Sequence, residues 1–320
     1  MASAFLGPES HRPLAVITES YQTKLKIPIL TGDDKFCFGT EYEKKLYSLI
    51  HEHLELDTTD KLVYVGDIKG SLSKAIEDHF CLIHPVQTLV PGHFHFIETY
   101  DGHRTLPVRI AHVGAEEHFR ILAKDRSTHS TKYDKILVND CVRYLEEPVT
   151  AYRNMIASLA PGGKLLIIHR TGELNTLPYF RDACQRITDN NISYTSILKD
   201  LQDAHLDVSW EVECLTVCMP KKKWLAMVRD KFPTQMEVLS DIEVMSGIRE
   251  LSEGMFKYEG DMVEFVDRLL FISATPCEQP FNQSDIRRSR SQLGPKPTTE
   301  TYIMHLWPEQ LRMLKGEPDL

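Results

Sequence analysis

The stretch that decides the fold is YDKILVNDCVRYLEEPVTAYRNMIASLAPGGKLLIIHR, which runs from Tyr133 to Arg170. It begins with an apolar run at 136–138 that is too short for a helix and rich in residues that favour strands. This run ends at the polar pair Asn139-Asp140. Apolar residues then recur at helical spacing after a proline, which suits the first turn of a helix. The pattern predicts a strand, a loop and a helix in that order.

The helix is followed by a sharp turn and a second strand. Pro161-Gly162-Gly163 is typical of a tight turn, and an apolar run follows at 165–168. Two strands that are apolar on both faces, joined by a helix, indicate a parallel sheet covered by helices. In an open sheet of this kind, ligands bind beyond the carboxyl ends of the strands. We therefore predict that Asn139 and Asp140 lie at a binding site.

The same stretch carries a resemblance to a known family. LAPGGKLLI, from Leu159 to Ile167, matches the L-x-P-G-G-x-L-h-I pattern that precedes the fifth strand in class I S-adenosylmethionine-dependent methyltransferases. The resemblance implies an α/β, Rossmann-like fold: a seven-stranded, mostly parallel sheet with helices on both faces and a helical insertion before the last strand. The strands are expected near 61–65, 94–98, 108–112, 135–139, 164–168, 208–218 and 264–273.

The family opens its fold with a strand and a glycine-rich turn. VYVGDIKG fits that place, with Gly66 and Gly70 as the first and third glycines and Asp67 inside the turn. Two residues depart from the family pattern: Tyr64 stands where an acid is usual, and Ile68 replaces the middle glycine that lets the backbone approach a ligand. A strand-to-helix turn that binds no ligand is the alternative interpretation.

Two further segments resemble the cofactor-binding parts of the family. HFHFIE ends on Glu98, where the family carries a carboxylate that accepts hydrogen bonds from a ribose diol; an exposed glutamate at a hairpin end is the alternative. Ala115 and Glu116 follow a glycine at the place that packs beside adenine. Either the Glu116 carboxylate or a main-chain N–H contacts the adenine there, or Glu116 is simply an acidic residue favoured in the first turn of a helix.

The resemblance implies S-adenosyl-L-methionine as the cofactor and a small molecule as the methyl acceptor. The segment after residue 221 is similar to histamine N-methyltransferases and juvenile-hormone-acid methyltransferases. The expected cofactor-binding residues are Tyr64, Gly66, Asp67, Gly70, Glu98, Ala115, Glu116, Asn139 and Asp140. Asp140, Tyr144 and His169 are the polar residues nearest the expected pocket mouth, and none is assigned as catalytic. The alternative is a catalytically inactive binding or regulatory module, which Tyr64 and Ile68 favour.

The chain divides into three parts by pattern. Residues 1–59 form an N-terminal extension with an amphipathic helix, which serves as a lid in the resembling enzymes. Residues 60–276 form the methyltransferase-like domain, with its helical insertion at about 221–262. Residues 277–320 read as a flexible tail with a short apolar helix that docks on the domain or on a protein partner.

Composition excludes several classes of protein. The 320 residues are 42% hydrophobic and 26% charged, as in ordinary globular proteins. A net charge of −9 argues against nucleic acid as a partner. The sequence has no apolar run long enough to span a membrane and no secretory signal pattern. Seven cysteines without a C-x-x-C pair indicate reduced thiols, so a cytoplasmic location is expected.

Fourteen histidines raise the question of a metal site. His51 and His53 lie two apart in a helical stretch, a spacing that does not bring two side chains together. His93 and His95 share one face of a predicted strand. A site needs a further ligand that the sequence does not identify, so no metal is predicted.

Overall fold

A computed structural model describes residues 27–29, 37–66, 71–91, 114–124, 132–276 and 286–288. The fold belongs to the first of two compact units, Met1–Arg287. The second, Arg288–Leu320, lies outside the described residues apart from Arg288, so the predicted C-terminal tail helix and its partner stay predictions.

A seven-stranded sheet forms the centre of the first unit, in the order β2-β1-β3-β4-β6-β5-β7. The strands are β1 (Leu62–Val65), β2 (Gln87–Leu89), β3 (Tyr133–Asn139), β4 (Leu159–His169), β5 (Leu206–Pro220), β6 (Met262–Pro276) and β7 (Ile286–Arg288).

The sheet is mixed rather than mostly parallel. Strand β1 is parallel to β2 and β3, and β3 is parallel to β4. Strand β6 runs antiparallel between β4 and β5. The predicted strands at 135–139 and 164–168 are confirmed as neighbours in one sheet, with Val138 opposite Ile167.

Two strands were not predicted from the sequence: β2, and β7, which falls within the predicted flexible tail of 277–320. Strand β2 has three residues, Gln87 to Leu89, and such a run is too short to show the alternation that marks a strand. It lies beside β1 and parallel to it. The predicted strands at 94–98 and 108–112 both lie outside the described residues.

Helices cover both faces of the sheet. They are α1 (Thr40–Leu54), α2 (Ser71–Phe80), α3 (Ala115–Lys124), α4 (Pro148–Ala157), α5 (Arg181–Asn190), α6 (Tyr194–Asp203), α7 (Lys221–Arg229) and α8 (Asp241–Glu253). Short 3₁₀ helices span Val142–Tyr144, Gly172–Leu174 and Thr234–Val238. No helix in the described part of the chain combines the length and apolarity needed to cross a bilayer.

Strand β1 shows how the two core layers arise. Its residues are all buried, and alternate side chains point to opposite faces. Leu62 and Tyr64 pack in the layer formed with α1, α2, α5, α7 and α8. Val63 and Val65 pack in the layer formed with α3, α4 and α6. The two layers explain why β1, β3 and β4 lack the apolar-polar alternation of a half-exposed strand.

The predicted Pro161-Gly162-Gly163 turn lies inside β4, where the pairing of β4 with β3 shifts its register. Gly162 has φ +78°, a conformation that side chains with a Cβ rarely adopt. A Cβ on Gly163 would lie 2.9 Å from the carbonyl oxygens of Ala160 and Asp134. The two glycines therefore allow β4 to pass close beside β3 at this point.

Candidate functional site

The order of strands locates the candidate site. Strand β1 has β2 on one side and β3 on the other, so the chain reverses its direction of winding between β1 and β3. In open α/β sheets the crevice beyond the carboxyl ends at such a reversal is the place where ligands bind. Gly66 follows β1 there, and Asn139 and Asp140 end β3. The structure thus brings together three of the residues expected from the sequence.

Tyr64 fills the space beside the glycine turn. Its side chain is fully buried, and a Cβ added to Gly66 would overlap the Tyr64 ring. The Asn139 amide nitrogen donates a hydrogen bond to the Tyr64 hydroxyl at 3.2 Å. The carboxylate that the family places near this turn is therefore replaced by a neutral phenol that is already bonded to β3.

Asp140 adopts an unusual backbone conformation at the end of β3. Its φ is 48°, in the left-handed region that aspartate tolerates better than most residues. One carboxylate oxygen accepts from the Arg170 main-chain N–H at 3.2 Å, and the other accepts from the Arg170 side chain at 3.3 Å. The Thr234 hydroxyl also donates to Asp140, at 3.1 Å. Asp140 thus ties β3 to β4 and to the segment before α8.

Arg170 is the centre of a buried ion network. Its Nε and Nη2 donate to the two carboxylate oxygens of Asp267 on β6, at 2.9 and 2.6 Å. The Tyr42 hydroxyl of α1 donates to Asp267 at 2.7 Å, and the Gln235 amide donates to the Arg170 carbonyl. Only 9% of the Arg170 side chain and 1% of the Asp267 side chain are exposed.

The network fixes the protonation of its members. Burial alone would lower the pKa of Arg170, but the Asp267 carboxylate outweighs burial and holds that pKa well above its usual value. Burial, together with Asp267, raises the pKa of Tyr42 well above its usual value. Arg170 is therefore a cation and Tyr42 a neutral donor at every physiological pH. Two carboxylates, Asp140 and Asp267, face a single guanidinium.

His169 and Tyr144 lie on either side of this network. Burial lowers the pKa of His169, which is 3% exposed, although Asp140 opposes the effect. Its Nδ1 lies 3.6 Å from an Asp140 carboxylate oxygen. The Tyr144 hydroxyl donates to Glu237 at 2.6 Å, and burial raises the pKa of Tyr144 to about 12. Near neutral pH His169 is thus a neutral imidazole and Tyr144 a neutral phenol.

Ala115 and Glu116 begin α3 beside the end of β2. The Ala115 N–H donates to the Val90 carbonyl at 3.0 Å. The Glu116 carboxylate accepts from the main-chain N–H groups of Glu146 and Glu147, at 3.2 and 3.0 Å, just before α4. This contact satisfies donors at a helix start. The contact of Glu116 with adenine stays a prediction, as do the roles of Asp67, Gly70 and Glu98, which lie outside the described residues.

The sequence analysis missed Tyr42, Arg170 and Asp267. A usable signal exists for Asp267, because EFVDRLLFI places one acid inside an apolar strand and buried acids need a cationic partner. The sequence gives no local sign of the partner of Asp267, since Arg170 follows the end of β4 whereas Asp267 lies on β6. Contacts between residues that are 97 positions apart do not show in local patterns.

An open groove of about 650 Å³ adjoins the network on the α1 side. Phe38, Tyr42 and Phe265 give it aromatic walls, and Glu41 and Glu264 also line it. The Phe38 ring lies 4.9 Å from the Tyr42 ring and 6.0 Å from the Phe265 ring, both edge-on. The volume is in the range of sites that hold small organic ligands.

Comparison with known proteins gives similarity at the level of chain trace alone. No protein-family model matches the sequence, and no curated protein sequence matches it. A protein of Anabaena variabilis described as a methyltransferase from an antibiotic biosynthesis pathway aligns with a TM-score of 0.45 and 11% identity, covering 74% of this chain and 100% of that one.

Two solved N-methyltransferases show a similar level of likeness. Coclaurine N-methyltransferase, bound to N-methylheliamine and S-adenosylhomocysteine, aligns with a TM-score of 0.41 and 16% identity over 83% of this chain and 88% of its own. Phosphoethanolamine N-methyltransferase 2 of Haemonchus contortus aligns with a TM-score of 0.41 and 13% identity over 73% of this chain and 53% of its own. The fold described above rests on strand order and pairing, not on these alignments.

Proposed function

We propose that this protein binds S-adenosylmethionine at the carboxyl ends of β1 and β3 and transfers its methyl group to a small-molecule acceptor. The observation that carries the proposal is the strand order. The sheet reverses at β1, and it ends with an antiparallel strand, β6, placed between β4 and β5. Both features agree with the class I methyltransferase resemblance of the sequence.

The described residues fit the cofactor better at β3 than at β1. Asn139 and Asp140 are partly exposed at the crevice and offer an amide and a carboxylate to a ribose or an amino group. At β1, the ring of Tyr64 narrows the space over Gly66. The cofactor would therefore be held mainly from the β3 side, with α3 supplying main-chain contacts.

When bound, the cofactor supplies a methyl group on a positively charged sulfur, which is already an activated leaving group. The task of the protein is then to align the acceptor with the methyl carbon and to exclude water. A general base is needed only if the acceptor must lose a proton. His169, the neutral imidazole beside Asp140, has both ring nitrogens buried and does not line the groove, so we assign it no proton transfer.

The groove beside α1 supports a small-molecule acceptor. Its aromatic walls and the carboxylates of Glu41 and Glu264 favour an acceptor with an apolar body and a positive charge. Tyr42 connects the groove to the Asp267-Arg170 pair. An amine with a ring system is the acceptor class that we propose for it.

Calorimetric titration of the purified protein with S-adenosylmethionine, and with its demethylated product, tests the proposal. We expect micromolar binding with one site per chain. Asn139→Ala should weaken binding by about tenfold, the loss of one good hydrogen bond. Asn190→Ala, an exposed asparagine of α5, is the matched control and should bind as the unaltered protein does. Absence of binding at millimolar cofactor, in protein shown to be folded, would contradict the proposal.

The inactive binding module is the second candidate, and one observation favours it. The Tyr64 ring and the Arg170 network place the protein's own side chains where the family keeps ligand-facing carboxylates and open backbone. Under this hypothesis neither the native protein nor Tyr64→Ala binds the cofactor. Binding by Tyr64→Ala alone would instead identify a site that Tyr64 closes.

A further inference from the structure

A cluster of three possible metal ligands lies on the α1 side of the sheet. His53 is on α1, and Glu211 and Glu213 are on β5. The two glutamates are two residues apart in a strand, so both side chains point to the same face, towards α1. The His53 Nε2 lies 4.0 Å from a Glu211 carboxylate oxygen and 3.9 Å from a Glu213 carboxylate oxygen.

The cluster is largely shielded from solvent but not closed. The exposed fractions of the side chains are 11% for His53, 13% for Glu211 and 20% for Glu213. The His53 ring packs against the Phe271 ring at 4.9 Å, and the Ser273 hydroxyl lies 3.5 Å from His53 Nδ1. The imidazole is thus held from the β6 side, and its Nε2 faces the two carboxylates. Metal-binding histidines are commonly oriented in this way through the second ring nitrogen.

The distances suit an ion better than direct hydrogen bonds. Hydrogen bonds between nitrogen and oxygen span about 2.7–3.2 Å, so contacts of 3.9 and 4.0 Å leave a gap. All three ligand atoms lie within 4.8 Å of one another. Zinc bonds to nitrogen and oxygen are about 2.0–2.2 Å long, which places tetrahedral ligands about 3.3–3.6 Å apart. To close the cluster around an ion, the two contacts of His53 would shorten by about half an ångström, and no pair of ligand atoms by more than about 1.5 Å.

The geometry points to a divalent metal site formed by His53, Glu211 and Glu213. One imidazole and two carboxylates form a mixed nitrogen-oxygen donor set that suits Zn²⁺ or Mn²⁺, whereas Ca²⁺ and Mg²⁺ prefer oxygen alone. Solvent completes the coordination through the remaining opening. The competing explanation is an ion pair in which a protonated His53 bridges the two glutamates without metal.

The site is separate from the carboxyl-end crevice. His53 is eleven residues after Tyr42 on α1, which corresponds to about 16 Å along the helix. A metal ion here would bind α1 to β5 at the far end of the helix from the Arg170 network. It would therefore stabilise the position of α1, the helix that lines the aromatic groove, without contacting a ligand in the crevice.

Metal titration of the full chain tests the inference. Chelator-treated protein is titrated with Zn²⁺ and with Mn²⁺ in a calorimeter, and its thermal unfolding is followed with each ion. We expect one site per chain and a higher Tm with metal. His53→Ala, Glu211→Gln and Glu213→Gln should each weaken binding by about tenfold or more, since even loss of an outer-shell partner has effects of that size.

Two matched control variants test whether a histidine or a glutamate outside the cluster binds the metal. His51→Ala changes an exposed histidine on the same helix, and Glu264→Gln changes an exposed glutamate on β6; both should bind metal as the unaltered protein does. Co²⁺ gives a spectroscopic check, because binding through exposed cysteines such as Cys214 and Cys218 produces thiolate charge-transfer bands, whereas this site produces none. No metal binding, or binding unchanged in all three ligand variants, would overturn the inference and leave the ion pair as the explanation.

Discussion

The two sides of the carboxyl-end crevice differ in chemistry. On the β1 side, the neutral Tyr64 covers Gly66 and is linked to β3 by one hydrogen bond of 3.2 Å. On the β4 side, Arg170 holds two carboxylates, one from β3 and one from β6. The β1 side therefore presents a packed aromatic ring, whereas the charged groups, Arg170 with Asp140 and Asp267, lie on the β4 side. Changes on the β4 side should therefore have larger effects.

The largest effect is expected from Asp267→Ala. This change leaves the Arg170 guanidinium buried without its main carboxylate partner, and breaking a buried pair in this way costs about 3–5 kcal/mol. The free energy of unfolding, measured by urea denaturation with circular dichroism, should fall by that amount. Tyr42→Phe removes only one hydrogen bond to the same carboxylate and should cost about 1 kcal/mol.

A double variant tests whether the instability of Asp267→Ala comes from the unpaired charge of Arg170. Arg170→Met with Asp267→Leu replaces both partners with apolar side chains and should be far less destabilised than Asp267→Ala, because no unpaired guanidinium is left buried. Asp140 loses its contact with the guanidinium but is 15% exposed and keeps the Thr234 hydroxyl. If the double variant is as unstable as the single one, the network matters for shape and not for charge balance. The distinction between the two sides of the crevice would then fail.

Gly66→Ala tests the β1 side. The new Cβ would overlap the Tyr64 ring, and overpacking of this kind costs about 1–3 kcal/mol. Adding Tyr64→Val to Gly66→Ala should make the effect of the alanine smaller than it is in the native background, because the ring is no longer present. A double-mutant cycle from unfolding curves measures this coupling. A coupling near zero would show that the alanine at position 66 does not act through the Tyr64 ring.

The sequence predicted the framework of the fold better than the site. The continuous apolar runs at 136–138 and 165–168 and the glycine turn between them are local features, and they fixed the parallel pair β3-β4. Strand β2 was not predicted, because a strand of three residues is too short to show a periodic pattern. Asp140 was expected at the crevice, but its partner Arg170, and the second carboxylate on that guanidinium, Asp267, meet it only when β3, β4 and β6 assemble.

The cluster of His53, Glu211 and Glu213 was not predicted from the sequence for the same reason. The helical spacing of His51 and His53 predicts no site made by those two histidines alone. The further ligands, Glu211 and Glu213, are more than 150 residues away on β5. Alternation of two glutamates in a strand was a visible signal, but nothing local indicated that α1 would pack over them.

His169 provides a prediction of pH dependence on the β4 side. Its pKa is lowered by burial in the folded protein, so the unfolded state binds its proton first as the pH falls. The stability that this neutral histidine contributes is fully present above the unfolded pKa of about 6.5 and is lost as the pH falls below it. His169→Gln should flatten the fall of unfolding free energy below pH 6.5 by at most about 1.4 kcal/mol per pH unit. His51→Gln, which changes an exposed histidine, should leave the slope as it is.

The smallest effect is expected from Tyr64→Phe, which keeps the ring and removes the hydroxyl bonded by Asn139. A hydrogen bond of this type contributes about 0.5–1.5 kcal/mol, and the partly exposed Asn139 amide can bond water instead, which favours the low end. Urea denaturation should therefore detect a change of about 0.5 kcal/mol. Cofactor titration of the same variant is more informative, because the released Asn139 amide is free to turn towards a ligand in the crevice. Tighter S-adenosylmethionine binding in Tyr64→Phe, together with weaker binding in Asn139→Ala, would show that the β1 side restrains a residue that acts on the ligand. Equal affinity in Tyr64→Phe and the native protein would instead assign Tyr64 to packing alone and leave ligand recognition to the residues at the end of β3.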